Sequence, residues 1–155
     1  MDRQRKWDLR FLRLAEHISQ WSKDPSTKCG SVIVDPDGRV VSVGYNGFPR
    51  GVIDSDERLL DRDTKYRMTV HCEINAIMFA GHSLTGCTLY TWPMVACSNC
   101  VAVIIQSGIA RHVAPTSDHP RFGEAAQALS LSMMREAGIA LELIPVDEIY
   151  SGVSR

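Results

Sequence analysis

Residues 71–108, HCEINAIMFAGHSLTGCTLYTWPMVACSNCVAVIIQSG, hold two helix starts with a strand between them. His71 opens a helix with Ile74, Ile77 and Met78 on its apolar face, and Gly81 ends it. Cys87–Trp92 reads as a strand, and Ser98–Gln106 as a second helix closed by Gly108. The two helix starts carry His71-Cys72-Glu73 and Cys97-Ser98-Asn99-Cys100. Together these offer three zinc-type ligands and one carboxylate. Three protein ligands leave the fourth position on zinc open to water, and water held there ionises near neutral pH. Cys97 and Cys100 share one face of a first helical turn, where the helix N-terminus favours the thiolate. His71 and Glu73 point apart, which divides the labour: His71 binds the metal and Glu73 reaches its water. A redox dithiol competes with this reading. So does a closed structural zinc site with a fourth ligand from His82, His112 or His119.

Outward from this stretch, Trp7, Phe11, Leu14, Ala15, Ile18 and Trp21 recur at helical spacing, predicting an amphipathic helix over about residues 5–22. Ser31–Val34 and Val40–Val43 flank Asp35-Pro36-Asp37-Gly38 as a β-hairpin. Gly44–Gly51 is a shaped loop, and the charged stretch Asp54–Lys65 is expected as a solvated face. After Gly108 come a strand at Arg111–Ala114, a loop over Pro115–Pro120, a helix over about residues 122–137, a strand at Ile139–Ile144 and an irregular tail. The order α-ββ-α-β-α-β-α-β predicts an α/β fold: three layers, α/β/α, around a five-stranded mixed sheet. One domain over 1–155 is expected, with its core at about 5–145 and a short C-terminal tail.

The composition fits an ordinary water-soluble domain: hydrophobic residues make up 45% and charged residues 23% of 155. A formal net charge of −1 gives no footprint for a nucleic-acid polymer or an anionic membrane. No apolar run is long enough to span a bilayer, and the first residues lack a signal peptide's apolar stretch. A cytoplasmic location is therefore expected. Five cysteines without an export signal read as metal ligands and core residues, not as disulfides. Cys29, Cys72 and Cys87 are expected as packed thiols. Trp7, Phe11 and Trp21 give the first helix more apolar surface than one sheet face needs, which predicts a homo-oligomer.

The two motifs resemble the signature of the zinc-dependent cytidine deaminase superfamily, HxE followed by PCxxC with a glutamate that is not a ligand. Ser22–Gly30, Gly44–Gly51, Glu57–Leu59, Lys65-Tyr66 and His71–Ile77 further resemble the deoxycytidylate (dCMP) deaminases, and the likeness covers about residues 7–114. The resemblance implies a cytidine deaminase-like fold and one catalytic Zn2+ per chain on His71, Cys97 and Cys100. It implies Glu73 as proton shuttle and hydrolysis of the C–N bond at C4 of cytosine, turning dCMP into dUMP and ammonia. Asn46 would contact sugar or base, and Lys23, Lys28 and Arg50 are phosphate candidates. A homo-oligomer, dimer to hexamer, is also implied.

Three departures bear on the substrate. Ala96 stands where the signature has proline, so Trp92, Ala96 or Met94 is placed at the pocket. Cys72 stands where alanine is usual, and the segment Pro115–Phe122, which in the family borders the base or its phosphate and here offers His119 as a substrate-binding candidate, differs from the dCMP deaminases. A deaminase of another small amino-heterocycle (a nucleoside, free base, modified cytosine or triazine-like ring) is the alternative. A non-catalytic zinc-stabilised protein is a second, and it predicts a closed four-ligand site.

Overall fold

Strand alternation sorts the core into two layers. Val32, Val34, Tyr90, Val113 and Ile144 point to one face of a five-stranded sheet, and Ile33, Leu89 and Ala114 point to the other. The computed structural model describes residues 1–118, 121 and 125–151. Its elements are α1 (Arg3–Ser19), β1 (Gly30–Val34), β2 (Val40–Tyr45), α2 (Asp56–Leu60), α3 (Arg62–Met68), α4 (Cys72–Ala80), β3 (Thr88–Trp92), α5 (Ser98–Gln106), β4 (Arg111–Pro115), α6 (Ala128–Glu136), β5 (Ala140–Ile144) and α7 (Val146–Ser151). The strand order is β2-β1-β3-β4-β5. β1 runs antiparallel to β2 and β3, whereas β3, β4 and β5 are parallel. This is the expected mixed sheet with helices on both faces. α1 and α7 cover one face, and α4, α5 and α6 the other.

The β1–β2 hairpin turns where Pro and Gly predicted. The Asp35 carboxylate accepts from the Asp37 and Arg39 amides, and Gly38 takes φ 86°. Two other glycines set how closely helices approach the sheet. A β-carbon on Gly30 would lie 2.1 Å from the Ala15 carbonyl oxygen, and one on Gly44 would lie 2.4 Å from that of Cys72. Both neighbours are helix backbone, which cannot swing aside. Gly30→Ala and Gly44→Ala are each expected to destabilise by about 3 kcal/mol, the upper end for overpacking. Gly47→Ala, which meets nothing within 4 Å, should stay within about 0.5 kcal/mol. Urea denaturation of the three variants checks this.

Several details differ from the sequence reading. The charged stretch at Asp54–Lys65 is not merely a solvated face, because it forms α2 and most of α3 and buries Lys65 to 3% exposure. Met78 lies on the outer face of α4, 71% exposed, and Cys72, Glu73 and Ala76 are the residues this helix buries. α1 stops at Ser19, and the last helix before β5 begins at Ala128 after a turn at 125–127. The expected irregular tail contains α7. Ile149 anchors it under α1, and Arg5 pairs with Glu148 and with Glu142 of β5.

A charged network runs through the α1 layer. Asp8 is 1% exposed, yet it accepts from both Arg111 guanidinium nitrogens at 2.8 Å, from the Tyr90 hydroxyl at 2.8 Å and from Gln4 at 3.0 Å. Trp7 stacks on the buried Phe11 but remains 42% exposed, and Trp21 remains 52% exposed. Among the described residues no helix is long and apolar enough to cross a membrane.

Candidate metal centre

His71 is the N-cap of α4 and Cys97 that of α5, with Cys100 one turn further along. Both helices pack on the same face of the sheet, so their N-termini converge. His71 Nδ1 stands 3.3 Å from Cys100 Sγ and 3.5 Å from Cys97 Sγ. All three ligand atoms lie within 4.8 Å of one another. Tetrahedral zinc, with bonds of about 2.3 Å to sulfur and about 2.0 Å to nitrogen, spaces its ligands by roughly 3.5 Å. The donor set and its spacing therefore fit zinc, one ion per chain.

Among the described residues the cluster has three members, as a catalytic site with an open position requires. His112 does not join it. It is fully buried between the Leu89 carbonyl oxygen, to which Nδ1 donates, and the Ala96 amide, which donates to Nε2. Burial pushes it down to about 4, so it is a neutral core imidazole. His82 is exposed and bonds the neighbouring Ser83 carbonyl.

The cysteine pair is primed for a cation. Hydrogen bonds from the Cys100 thiol and from His71 push Cys97 down to about 4. The contact with Cys97 lifts His71 to about 9 and raises the Cys100 thiol. His71, Cys97 and Cys100 would hold the ion, and zinc bound there would displace the protons these ligands carry. Glu73, 6% exposed, lies next to the cluster, and burial raises its carboxyl above the ordinary range. The Cys72 thiol donates to Glu73 Oε2 at 3.3 Å, and Ser31 Oγ donates to Cys72 Sγ at 3.0 Å.

The cluster opens into a cavity of about 570 Å³. His71, Cys72, Glu73 and Cys97 line it, Trp92, Met94 and Val95 give it apolar lining, and Gln127, Leu129 and Ser130 border it from the start of α6. Of the substrate-contact residues named from sequence, Asn46, Trp92 and Met94 line this cavity. The Asn46 side chain also fastens the loop before β1, accepting from the Cys29 amide at 2.8 Å and donating to the Thr27 carbonyl at 3.0 Å.

Lys23, Lys28 and Arg50 are not among the cavity-lining residues. Lys23 pairs with Asp54 at the surface, Lys28 donates to the Ser22 carbonyl, and Arg50 lies over the Phe79 ring. Ala96 is fully buried behind the wall, its amide given to His112. His119 lies outside the described residues. Among the described residues the lysine and arginine that line the cavity are Lys65 and Arg121, which the sequence reading did not place there. Lys65 donates to Asp24 and to Ser26 Oγ, each at 2.9 Å, and Arg121 donates to the Tyr66 hydroxyl at 3.1 Å. Asp24 is 41 residues from Lys65 in the chain, so no local pattern could announce the pair. Burial would raise Asp24, but Lys65 and the amides of Ser26 and Thr27 hold it below its usual range.

The sequence model of the cytidine and deoxycytidylate deaminase zinc-binding region matches residues 5–116. An uncharacterized deaminase of Aliivibrio fischeri is 44% identical over 145 residues, 92% of this chain and 96% of its own length. A probable deoxycytidylate deaminase of Caenorhabditis elegans is 46% identical over 105 residues, 64% of this chain, and the chain spans about half (52%) of that relative. In structure, the dCMP deaminase of cyanophage S-TIM5 in complex with dCMP and dUMP superposes with a TM-score of 0.71. It covers 93% of this chain and 99% of its own at 20% identity, a likeness of fold.

Proposed function

This chain belongs to the cytidine and deoxycytidylate deaminase family, and from that membership we propose that it hydrolyses dCMP to dUMP and ammonia. The observation that carries the reading is the three-ligand cluster beside a buried glutamate, both at one cavity. His71, Cys97 and Cys100 hold the zinc, which when bound supplies a Lewis acid and a water ionisable near pH 7. Glu73 moves two protons in turn: one from the attacking water to N3 of the cytosine ring, and a second from the hydroxyl then on C4 to the amine, which leaves as ammonia. Its burial suits this, because desolvation raises the carboxyl above its ordinary range and so favours taking up the proton it passes on. Trp92, Met94 and Val95 flank the ring and exclude water, and Asn46 faces the sugar with its remaining N–H. Lys65 and Arg121 supply the positive charge for the phosphate, in place of Lys23, Lys28 and Arg50.

The relatives named as deoxycytidylate deaminases support the substrate, and the cations at the cavity support a phosphate on it. The apolar wall of Trp92 and Met94 favours a second reading, another aminated ring on the same scaffold. We further infer that residues 1–155 act as one deaminase domain in the cytoplasm, as a homo-oligomer that draws on the exposed Trp7 and Trp21, without nucleic-acid polymers as partners.

Ammonia release from dCMP, deoxycytidine, cytosine, guanine and other aminated rings tests the substrate. Release from dCMP above all others is expected. A neutral ring that reacts while dCMP stays untouched would overturn the phosphate reading. Arg121→Met should lower kcat/KM for dCMP by about 10–100-fold, the worth of a hydrogen bond to a charged group, and spare deoxycytidine.

A further inference from the structure

We propose that Cys72 is a positioning residue for Glu73, its thiol holding one carboxylate oxygen so that the other is the oxygen that carries the proton. The proposal rests on the deaminase reading for Glu73's part in proton transfer. Its ground is a directed chain of hydrogen bonds. Ser31 Oγ donates to Cys72 Sγ at 3.0 Å, and Cys72 Sγ donates to Glu73 Oε2 at 3.3 Å. A thiol has a single hydrogen. Because Ser31 places its own hydrogen on the sulfur, the thiol hydrogen is turned away from Ser31, to the side where Glu73 Oε2 and the Cys29 sulfur lie. The three residues are 0%, 1% and 6% exposed, so bulk water does not compete for these groups.

The supports of the chain are rigid. Ser31 sits within β1, paired with Gly44 of β2 and Thr91 of β3, and Cys72 and Glu73 open α4. The close approach of α4 at Gly44, over the Cys72 carbonyl, fixes where that helix begins. Cys72 is therefore held at a set distance from the carboxylate. Glu73 keeps Oε2 on the thiol and itself lines the cavity. A weak S–H donor orients the carboxylate without binding it so strongly that it stops taking protons.

The test uses zinc-loaded enzyme. Cys72→Ala should lower kcat for dCMP about tenfold, the worth of roughly one hydrogen bond, with KM and zinc content little changed. Cys72→Ser should recover most of the loss, because a hydroxyl can donate to the same oxygen. If Cys72→Ala matches the unaltered enzyme, or if alanine and serine are equally impaired, the side chain only fills space and the proposal is overturned.

A second measurement needs no substrate. The S–H stretching band that disappears in Cys72→Ala belongs to this thiol, and it should shift in Glu73→Ala, where the acceptor is gone. A band that does not move overturns the proposal. Failure of the unaltered enzyme on dCMP with a band that does shift would sink the substrate reading and leave the Cys72–Glu73 contact standing. The kinetic comparison then runs on whichever amine of the panel reacts.

Discussion

Glu73→Gln is expected to cut turnover by about 10²–10⁴-fold, the usual contribution of a general acid–base, while zinc content and fold are retained. Glutamine has the same shape, keeps its place in the first turn of α4 and still accepts from the Cys72 thiol. It cannot carry a proton from water to ring and amine. The three metal-binding side chains come from His71, Cys97 and Cys100, so the metal should remain at one per chain. Burial raises the Glu73 carboxyl, meaning that the charged form is disfavoured there. A neutral amide removes that cost, and thermal stability should hold or rise. Ammonia release, metal analysis and a melting curve measure the three quantities. Retained turnover would remove Glu73 from the mechanism, and lost zinc would make it a ligand.

Asp8→Ala should destabilise the protein by about 3–5 kcal/mol, as removing one partner of a buried ion pair does. Arg111, Tyr90 and Gln4 would all lose their acceptor, and Arg111 would be left without its counter-charge beneath α1. Burial alone would raise the Asp8 carboxyl, but the bonds from Arg111, Gln4 and Tyr90 outweigh it and hold the group below its ordinary range. The sign follows. A carboxylate depressed by folding contributes its full stability above the unfolded value of about 3.9 and loses it as pH falls through the lower folded value. Urea denaturation should therefore show the largest gap between Asp8→Ala and the unaltered protein near neutral pH, and a narrowing gap below about pH 4. Replacing Asp8 and Arg111 together by apolar residues should recover part of the loss, because no charge is then left alone. A double variant as unstable as the sum of the single ones would mean that the two residues act independently.

Regular elements and the metal ligands were legible because their signals are local. His71-x-Glu73 and Cys97-x-x-Cys100 each fit within one helical turn, and β1–β2 announces itself through Asp35–Gly38. Charged side chains that face inward were not legible. Asp8 and Lys65 look like solvent-exposed residues in any window of sequence, and each is buried only because a partner arrives from far along the chain: Arg111 for the first, Asp24 for the second. The phosphate candidates read from the sequence, Lys23, Lys28 and Arg50, do not line the cavity, whereas Lys65 does. Met78 was misplaced for a related reason. α4 is apolar nearly all round, so periodicity could not say which side meets the sheet, and the glycine at 44 decides it.

The convergence of α4 and α5 links metal affinity to assembly. His71 and the cysteine pair belong to helices separated in the chain by β3, and they meet only when both helices are seated on one face of the completed sheet. A chain with α4 docked and β3 not yet inserted offers an isolated imidazole, and one with α5 alone offers two thiols. Neither fragment matches the tripod. Zinc uptake should then be a late event of maturation, and release of the ion should accompany the opening of the sheet instead of preceding it. A metallochromic dye would in that case read the folded fraction of the protein directly.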